Sequence, residues 1–102
     1  MAKDLPKFVG FDWDSGNHDK NRLKHKVSDG ECEEVFFNSP LVVIDDPKHS
    51  HTELRCAIFG RANAGRELIV NFTLRGNLIR VISARDMNRR EKEFYRSHEK
   101  TS

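Results

Sequence analysis

A chain of 102 residues has room for one domain and one principal core. Hydrophobic residues make up 36% and charged residues 33%, yet seven Phe supply large rings to bury, which excludes a chain disordered throughout. The net charge of +2 hides an asymmetry: residues 1–60 carry eight Lys/Arg against eleven Asp/Glu, and residues 61–102 carry ten against five. A basic second half suits a polyanionic partner, and a merely dipolar, soluble surface is the blander reading of the same blocks.

In chain order, Phe8-Val9-Gly10-Phe11-Asp12-Trp13 reads as a first strand, ended by the turn-prone Asp14-Ser15-Gly16. Residues 17–25 are polar helix formers with Leu23 as the only clear apolar anchor, which predicts a short, exposed helix. Ser28 and Glu31 have capping-box spacing, and Cys32, Val35 and Phe36 give the helix that follows one apolar stripe before Asn38-Ser39-Pro40 stops it. Residues 41–45 form a β-branched strand closed by Asp46-Pro47, and a polar loop over 46–53 leads to a strand at 55–59. Asn63-Ala64-Gly65 is a hairpin-type turn. Residues 67–75 alternate most cleanly, with Leu68, Val70, Phe72 and Leu74 on one face, and Gly76-Asn77 turns the chain into a strand at 78–85. Asn88 and Glu91 again have capping-box spacing, and Met87, Phe94, Tyr95 and His98 recur at helical intervals. The order β-α-α-β-β-β-β-α implies an α+β domain over residues 1–102, core about 8–98, with an antiparallel sheet and helices grouped on one face.

Cys32 and Cys56 lack metal-ligand spacing and a Cys-x-x-Cys pair, so two buried thiols are expected rather than a disulfide. No apolar run approaches the roughly 18 residues that a membrane span needs. Residues 1–7 lack the apolar stretch of a signal peptide, and a cytoplasmic location is expected. His49-Ser50-His51 invites a metal reading, but without further His or Cys at ligand spacing a solvated loop is the expectation, with no metal and no cofactor.

Phe11-Asp12-Trp13-Asp14, Asn21 with Lys24-His25 at helical spacing, Glu33-Glu34-Val35-Phe36 and Asp45-Asp46-Pro47 together resemble the N-terminal pattern of the BrnT toxin family. Arg80-Val81-Ile82-Ser83-Ala84-Arg85, followed by Arg89-Arg90-Glu91 and Tyr95, is similar to that family's C-terminal signature. Two departures stand out: Lys26 occupies a position where the family often has Gly, and Asp29-Gly30-Glu31-Cys32 replaces a favoured Phe-Glu-Glu-Ala, which should loosen the second helix. The resemblance implies a RelE-like fold and metal-independent cleavage of mRNA that blocks translation. It also implies neutralisation by a BrnA-like ribbon-helix-helix antitoxin, through which alone the complex meets operator DNA. The alternative is a non-catalytic RNA- or antitoxin-binding module acting through transcriptional autoregulation.

Metal-free RNA cleavage uses the substrate's own 2′-OH, so the protein must align it, move two protons and stabilise the added negative charge. His25 is the natural proton carrier, because imidazole ordinarily titrates nearest neutrality, although a His at a helix end also serves the helix dipole. Arg75, Arg80 and Arg85 are expected to bind phosphates, since a guanidinium presents several donors and stays charged. Strand alternation places Arg80 and Arg85 on opposite faces unless the strand bulges or ends before Arg85. Glu91 serves either as the capping acid of Asn88 or in proton transfer, and Tyr95 as core or site. The expected catalytic set is His25, Arg80, Arg85, Glu91 and Tyr95. Trp13, Lys24, Arg75, Arg89 and Lys92 are the expected RNA contacts, with Trp13 alternatively a packing residue.

Overall fold

The computed structural model describes residues 4–45 and 55–99. The predicted loop at 46–53, with Asp46-Pro47 and His49-Ser50-His51, lies outside them. The order is β1 (Gly10–Phe11), α1 (Lys20–His25), α2 (Asp29–Val35), β2 (Val42–Asp45), β3 (Arg55–Arg61), β4 (Glu67–Arg75), β5 (Leu78–Asp86) and α3 (Arg89–Glu99). The α+β class and the element order stand as expected. One five-stranded sheet runs β1-β5-β4-β3-β2.

Strands β2 to β5 form the predicted antiparallel meander. The β4–β5 link is a two-residue loop in which Gly76 takes φ +61, a conformation that costs glycine little. Strand β1 departs from the expectation: two residues rather than six, and parallel to β5, with Gly10 opposite Leu78. Beyond Phe11, Asp12 N–H still bonds to Ile79 O at 2.8 Å, and the Trp13 indole that follows donates to Glu33 on α2 at 2.7 Å.

Strand alternation builds two apolar layers. On one face Cys56, Ile58, Leu68, Val70, Phe72, Ile79, Val81 and Ala84 meet Val27 and the α2 residues Cys32 and Val35, with Phe36 just beyond. The Phe8, Phe11, Phe36 and Phe72 rings close this layer with edge-on contacts. Gly60 admits α2 closely, since a Cβ there would lie 2.6 Å from Val35 Cγ1. Helix α2 forms despite Gly30, because the predicted capping box is present in full and both Cys32 and Val35 are completely buried.

The opposite face carries Val42 and Ile69 with Met87 and Tyr95, flanked by Ile44, Ala57 and Phe59. Helix α3 covers this second face, so the expected grouping of all helices on one face is corrected. Ile69 and Phe59 alternate with Val70 and Ile58, and a second apolar set on the far side needs its own cover. Helix α3 is pinned there by Arg96 to Glu67 at 2.6 Å, by Arg61 to Glu99 at 2.7 Å, and by Arg61 over the Tyr95 ring.

Helix α1 overturns another expectation. Leu23, the predicted anchor, is 77% exposed, and Asn21 is the residue that α1 buries. The helix ends at Lys26, held at φ +59 with its N–H bonded to Arg22 and Asn21 carbonyls. A left-handed residue with a side chain is strained where Gly is not, which explains the Gly common at this position in the family the chain resembles.

Two outcomes follow from these contacts. Lys26→Gly should raise stability by about 1 kcal/mol, read as a higher urea midpoint at unchanged slope. The Arg96 guanidinium, hydrogen-bonded to Glu67, holds that carboxyl below its ordinary 4.5, with Arg61 and Lys92 adding. A lowered carboxylate pKa contributes stability above the unfolded value that is lost as pH falls through the folded one. Glu67→Gln should therefore cost on the order of 1–2 kcal/mol at pH 7. That gap to the parent protein should close progressively in unfolding titrations below about pH 4.

Candidate active site

Beyond its short pairing with β1, the outer edge of β5 has no strand beside it among the described residues, and two asparagine amides take that place. Asn17 Nδ2 donates to Val81 O at 3.1 Å and to Asp12 O at 2.9 Å, while its Oδ1 accepts from Asp14 N. Asn21 Oδ1 accepts from Ala84 N at 2.9 Å. Both asparagines are 4% exposed. Burying an amide there is favourable because an edge N–H and C=O otherwise lose water without a partner.

Between these two clamps the β4–β5 register slips: Asn71 pairs with Ser83 and Phe72 with Val81, leaving Ile82 as an inserted residue. One extra residue reverses the alternation. Arg80, opposite Thr73, and Arg85, opposite Ile69, therefore lie on the same sheet face, the one that also carries α3. The condition under which the two arginines share a face is met by this bulge.

Against the bulge, α1 closes a pocket of about 310 Å³ lined by Lys20, Asn21, Lys24, His25, Ile82 and Ser83. Residues 20, 21, 24 and 25 fall on one side of a helix, which is why a single turn delivers all four. Asn71 Nδ2 donates to Ser83 Oγ at 3.0 Å, which leaves the Ser83 hydroxyl proton to donate elsewhere. Lys20 and Lys24 have no carboxylate partner among the described residues, so the pocket presents net positive charge.

The end of α1 is fixed by Arg66. It forks onto Asp86 at 2.7 and 2.9 Å and reaches Lys26 O at 2.6 Å, His25 O at 3.3 Å and Glu31 at 3.3 Å. One guanidinium thus ties the carbonyl end of α1 to α2 and to the end of β5. The Asp86 bond and the Glu31 charge raise the Arg66 pKa further.

Of the residues expected in a catalytic role, His25 lies in this pocket, and Lys24, expected to contact RNA, lies beside it. Arg80 and Arg85 stand two residues to either side of the bulged Ile82-Ser83, each engaged by a carboxylate. Arg80 meets Asp14 at 3.0 Å and Asp12 at 3.6 Å, and its bond to Asp14 holds that carboxyl below its ordinary value. Arg85 meets Glu91 at 2.8 Å, and the same contact, reinforced by Asn88 N–H, lowers the Glu91 pKa. Glu91 and Asn88 also complete the predicted capping box. Arg75 lies 3.8 Å from Asp12. Tyr95 is fully buried away from the pocket, its hydroxyl donating to Pro40 O at 2.7 Å, with burial pushing its pKa up. Trp13 is committed to Glu33, Arg89 is exposed beside Glu93, and Lys92 sits on the first turn of α3.

Sequence reasoning left out Lys20, Asn21, Ile82 and Ser83 as site residues. The i, i+3, i+4 spacing of Asn21, Lys24 and His25 was the available signal for the helical part, whereas nothing local to β5 marks a bulge. Among the described residues, the one grouping with metal-ligand spacing is His18, Asp19 and Asp29. Its atoms are spent internally: His18 Nδ1 on Asp29 at 2.6 Å, Asp19 on Arg22 at 2.8 Å, and Asp29 on the Asp19 N–H. That donor set is a clasp between α1 and α2 rather than an open ligand shell.

Comparison with curated proteins finds no match. Residues 13–91 match the family described as the ribonuclease toxin BrnT of type II toxin–antitoxin systems. The match takes in α1, the bulged strand and the first turn of α3, and thus every residue lining the pocket. The chain belongs to the BrnT family of ribonuclease toxins.

Proposed function

We propose that the α1–β5 pocket is the cleavage site of this toxin and that it cuts mRNA by a metal-independent transesterification. The observation that carries the reading is the meeting of Lys24 and His25 with the bulged Ile82-Ser83, with Arg80 and Arg85 on one face to either side.

In this scheme the scissile phosphate sits between α1 and the bulge. His25 takes the proton of the 2′-OH as that oxygen attacks phosphorus in line. The P–O5′ bond breaks, leaving a 2′,3′-cyclic phosphate and a 5′-hydroxyl, whose proton is returned by the protonated imidazole or by water. The Lys20 and Lys24 ammonium groups, aided by the Ser83 hydroxyl, stabilise the charge that builds on the phosphoryl oxygens. Arg80 and Arg85 hold neighbouring phosphates by exchanging Asp14 and Glu91 for the RNA backbone, a swap of one anion for another. Glu91 and Tyr95 act on placement, Glu91 by aiming Arg85 and Tyr95 by seating α3. Arg75, Arg89 and Lys92 extend the basic track, and Trp13 supports α2.

A BrnA-like ribbon-helix-helix antitoxin would compete for the same arginines through an acidic segment, with operator DNA bound by the antitoxin alone and the complex held in the cytoplasm. The carboxylates on Arg80 and Arg85 favour a second reading, in which the face binds a partner and does not cut.

The test is translation in a cell-free extract with added protein, followed by mapping of mRNA 5′ ends. Arrest with discrete new 5′-hydroxyl ends is expected, unchanged by chelator and reduced at least about 100-fold in His25→Gln. Arg85→Glu should abolish it while the fold survives. Intact mRNA from folded protein would favour the binding module, cleavage that needs a metal ion would overturn metal independence, and full activity in His25→Gln would move the chemistry elsewhere.

A further inference from the structure

We infer that Asn21 is a substrate-contacting residue, its Nδ2 donating a hydrogen bond to a non-bridging phosphate oxygen of RNA held in the α1–β5 pocket. The inference rests on the reading of that pocket as the cleavage site and adds a residue and an atom to it.

Two asparagines clamp the same strand edge, and they differ. Asn17 is saturated: its amide donates to two carbonyls and its oxygen accepts from Asp14 N. Asn21 is half used. Its oxygen accepts from Ala84 N at 2.9 Å, which fixes the way the amide faces, and among the described residues no acceptor lies within reach of its Nδ2. The residue is 4% exposed and lines the pocket.

A buried donor without a partner is destabilising, and such groups are rare in folded proteins unless a ligand or water completes them. The strand edge explains why Asn21 rather than Leu23 turns inward, since its oxygen serves Ala84 N–H, but that structural bond makes no use of Nδ2. The donor therefore calls for an acceptor supplied from outside. Lys20, Lys24 and His25, which line the same pocket, favour an anionic one. A phosphate oxygen fits both requirements: it accepts from a neutral amide and is attracted by the flanking ammonium groups. Because Ala84 N–H locks the amide in place, the orientation of the donor is preset, but the atom itself is shielded, so the phosphate reaches it only as the pocket wall yields locally.

The experiment follows the Asn21 side-chain NH2 and the Lys24 and His25 signals by 15N NMR. The protein is titrated in parallel with inorganic phosphate and with a short oligoribonucleotide whose 2′-hydroxyls are methylated so that it cannot be cut. The expected result is a shift of the Asn21 NH2 signals with the oligonucleotide, together with those of Lys24 and His25. Asn21→Asp, which keeps an acceptor for Ala84 N–H but exchanges the donor for a charge, should bind the oligonucleotide about tenfold or more weakly, and Asn21→Leu, which removes the donor without adding charge, should also bind it more weakly. The Ala84 amide should remain protected from solvent exchange in Asn21→Asp, which shows that its hydrogen bond survives. If Lys24 and His25 respond while the Asn21 NH2 does not, the inference fails and the cleavage-site reading survives. If the oligonucleotide moves none of the three, the pocket reading itself fails. A response to inorganic phosphate alone would assign the site to a free anion and overturn an RNA contact.

Discussion

Side chains alternate across a strand, so two arginines five residues apart in β5 would ordinarily point to opposite sides of the sheet. The residue inserted at Ile82 reverses the alternation once and brings Arg80 and Arg85 to one face. A bulge of this kind leaves backbone groups without ladder partners and needs support from beside the strand. Here the support comes from Asn17 on Val81 and Asn21 on Ala84, which bracket the insertion. The residues that stabilise the irregularity are thus in or next to the helix that brings Lys24 and His25 to it. Shape of the strand and chemistry of the pocket have one origin.

The electrostatics are arranged as exchanges rather than as bare charge. Arg80, Arg85 and Arg66 each hold a carboxylate, and each contact lowers the pKa of Asp14, Glu91 or Asp86. Such pairs compensate the positive charge of the three arginines locally. On the proposed reading they would also set a threshold, since a phosphate at Arg85 would gain only what it binds beyond Glu91. Lys20 and Lys24 stand apart, without a carboxylate partner among the described residues, and they flank the one pocket-lining amide with an unspent donor. Uncompensated positive charge and an unsatisfied donor coincide at one place, where, on the proposed reading, a phosphate would complete both.

Much of the fold was legible from residues alone, for reasons that are local. The capping boxes at Ser28–Glu31 and Asn88–Glu91 use only four consecutive residues, and both form as spaced. Strand β4 was evident because its two faces differ so sharply in polarity. What escaped depended on contacts distant in sequence. Leu23 looked like the anchor of α1, but the inward position faces a strand edge that needs an acceptor, and Asn21 meets that need where leucine has nothing to offer. The bulge leaves no mark on β5, since Ile82 is a good strand residue whether paired or inserted. Tyr95 could be placed on an apolar stripe but not assigned to a layer, and only the second apolar face of the sheet shows why it is core. Of the residues in the proposed site, His25 and Lys24 could be named by chemistry and spacing and Arg80 and Arg85 by type, whereas their common face could be stated only as conditional on a bulge.

The most direct test is a crystal structure of the protein with a short RNA blocked at the 2′-hydroxyl of the cleavage position. The expected result is the blocked phosphate between His25 and Ser83, with Lys24 beside it, and Arg80 and Arg85 released from Asp14 and Glu91 onto adjacent phosphates. RNA bound with its cleavage-site phosphate elsewhere, or with both arginines still on their carboxylates, would contradict it.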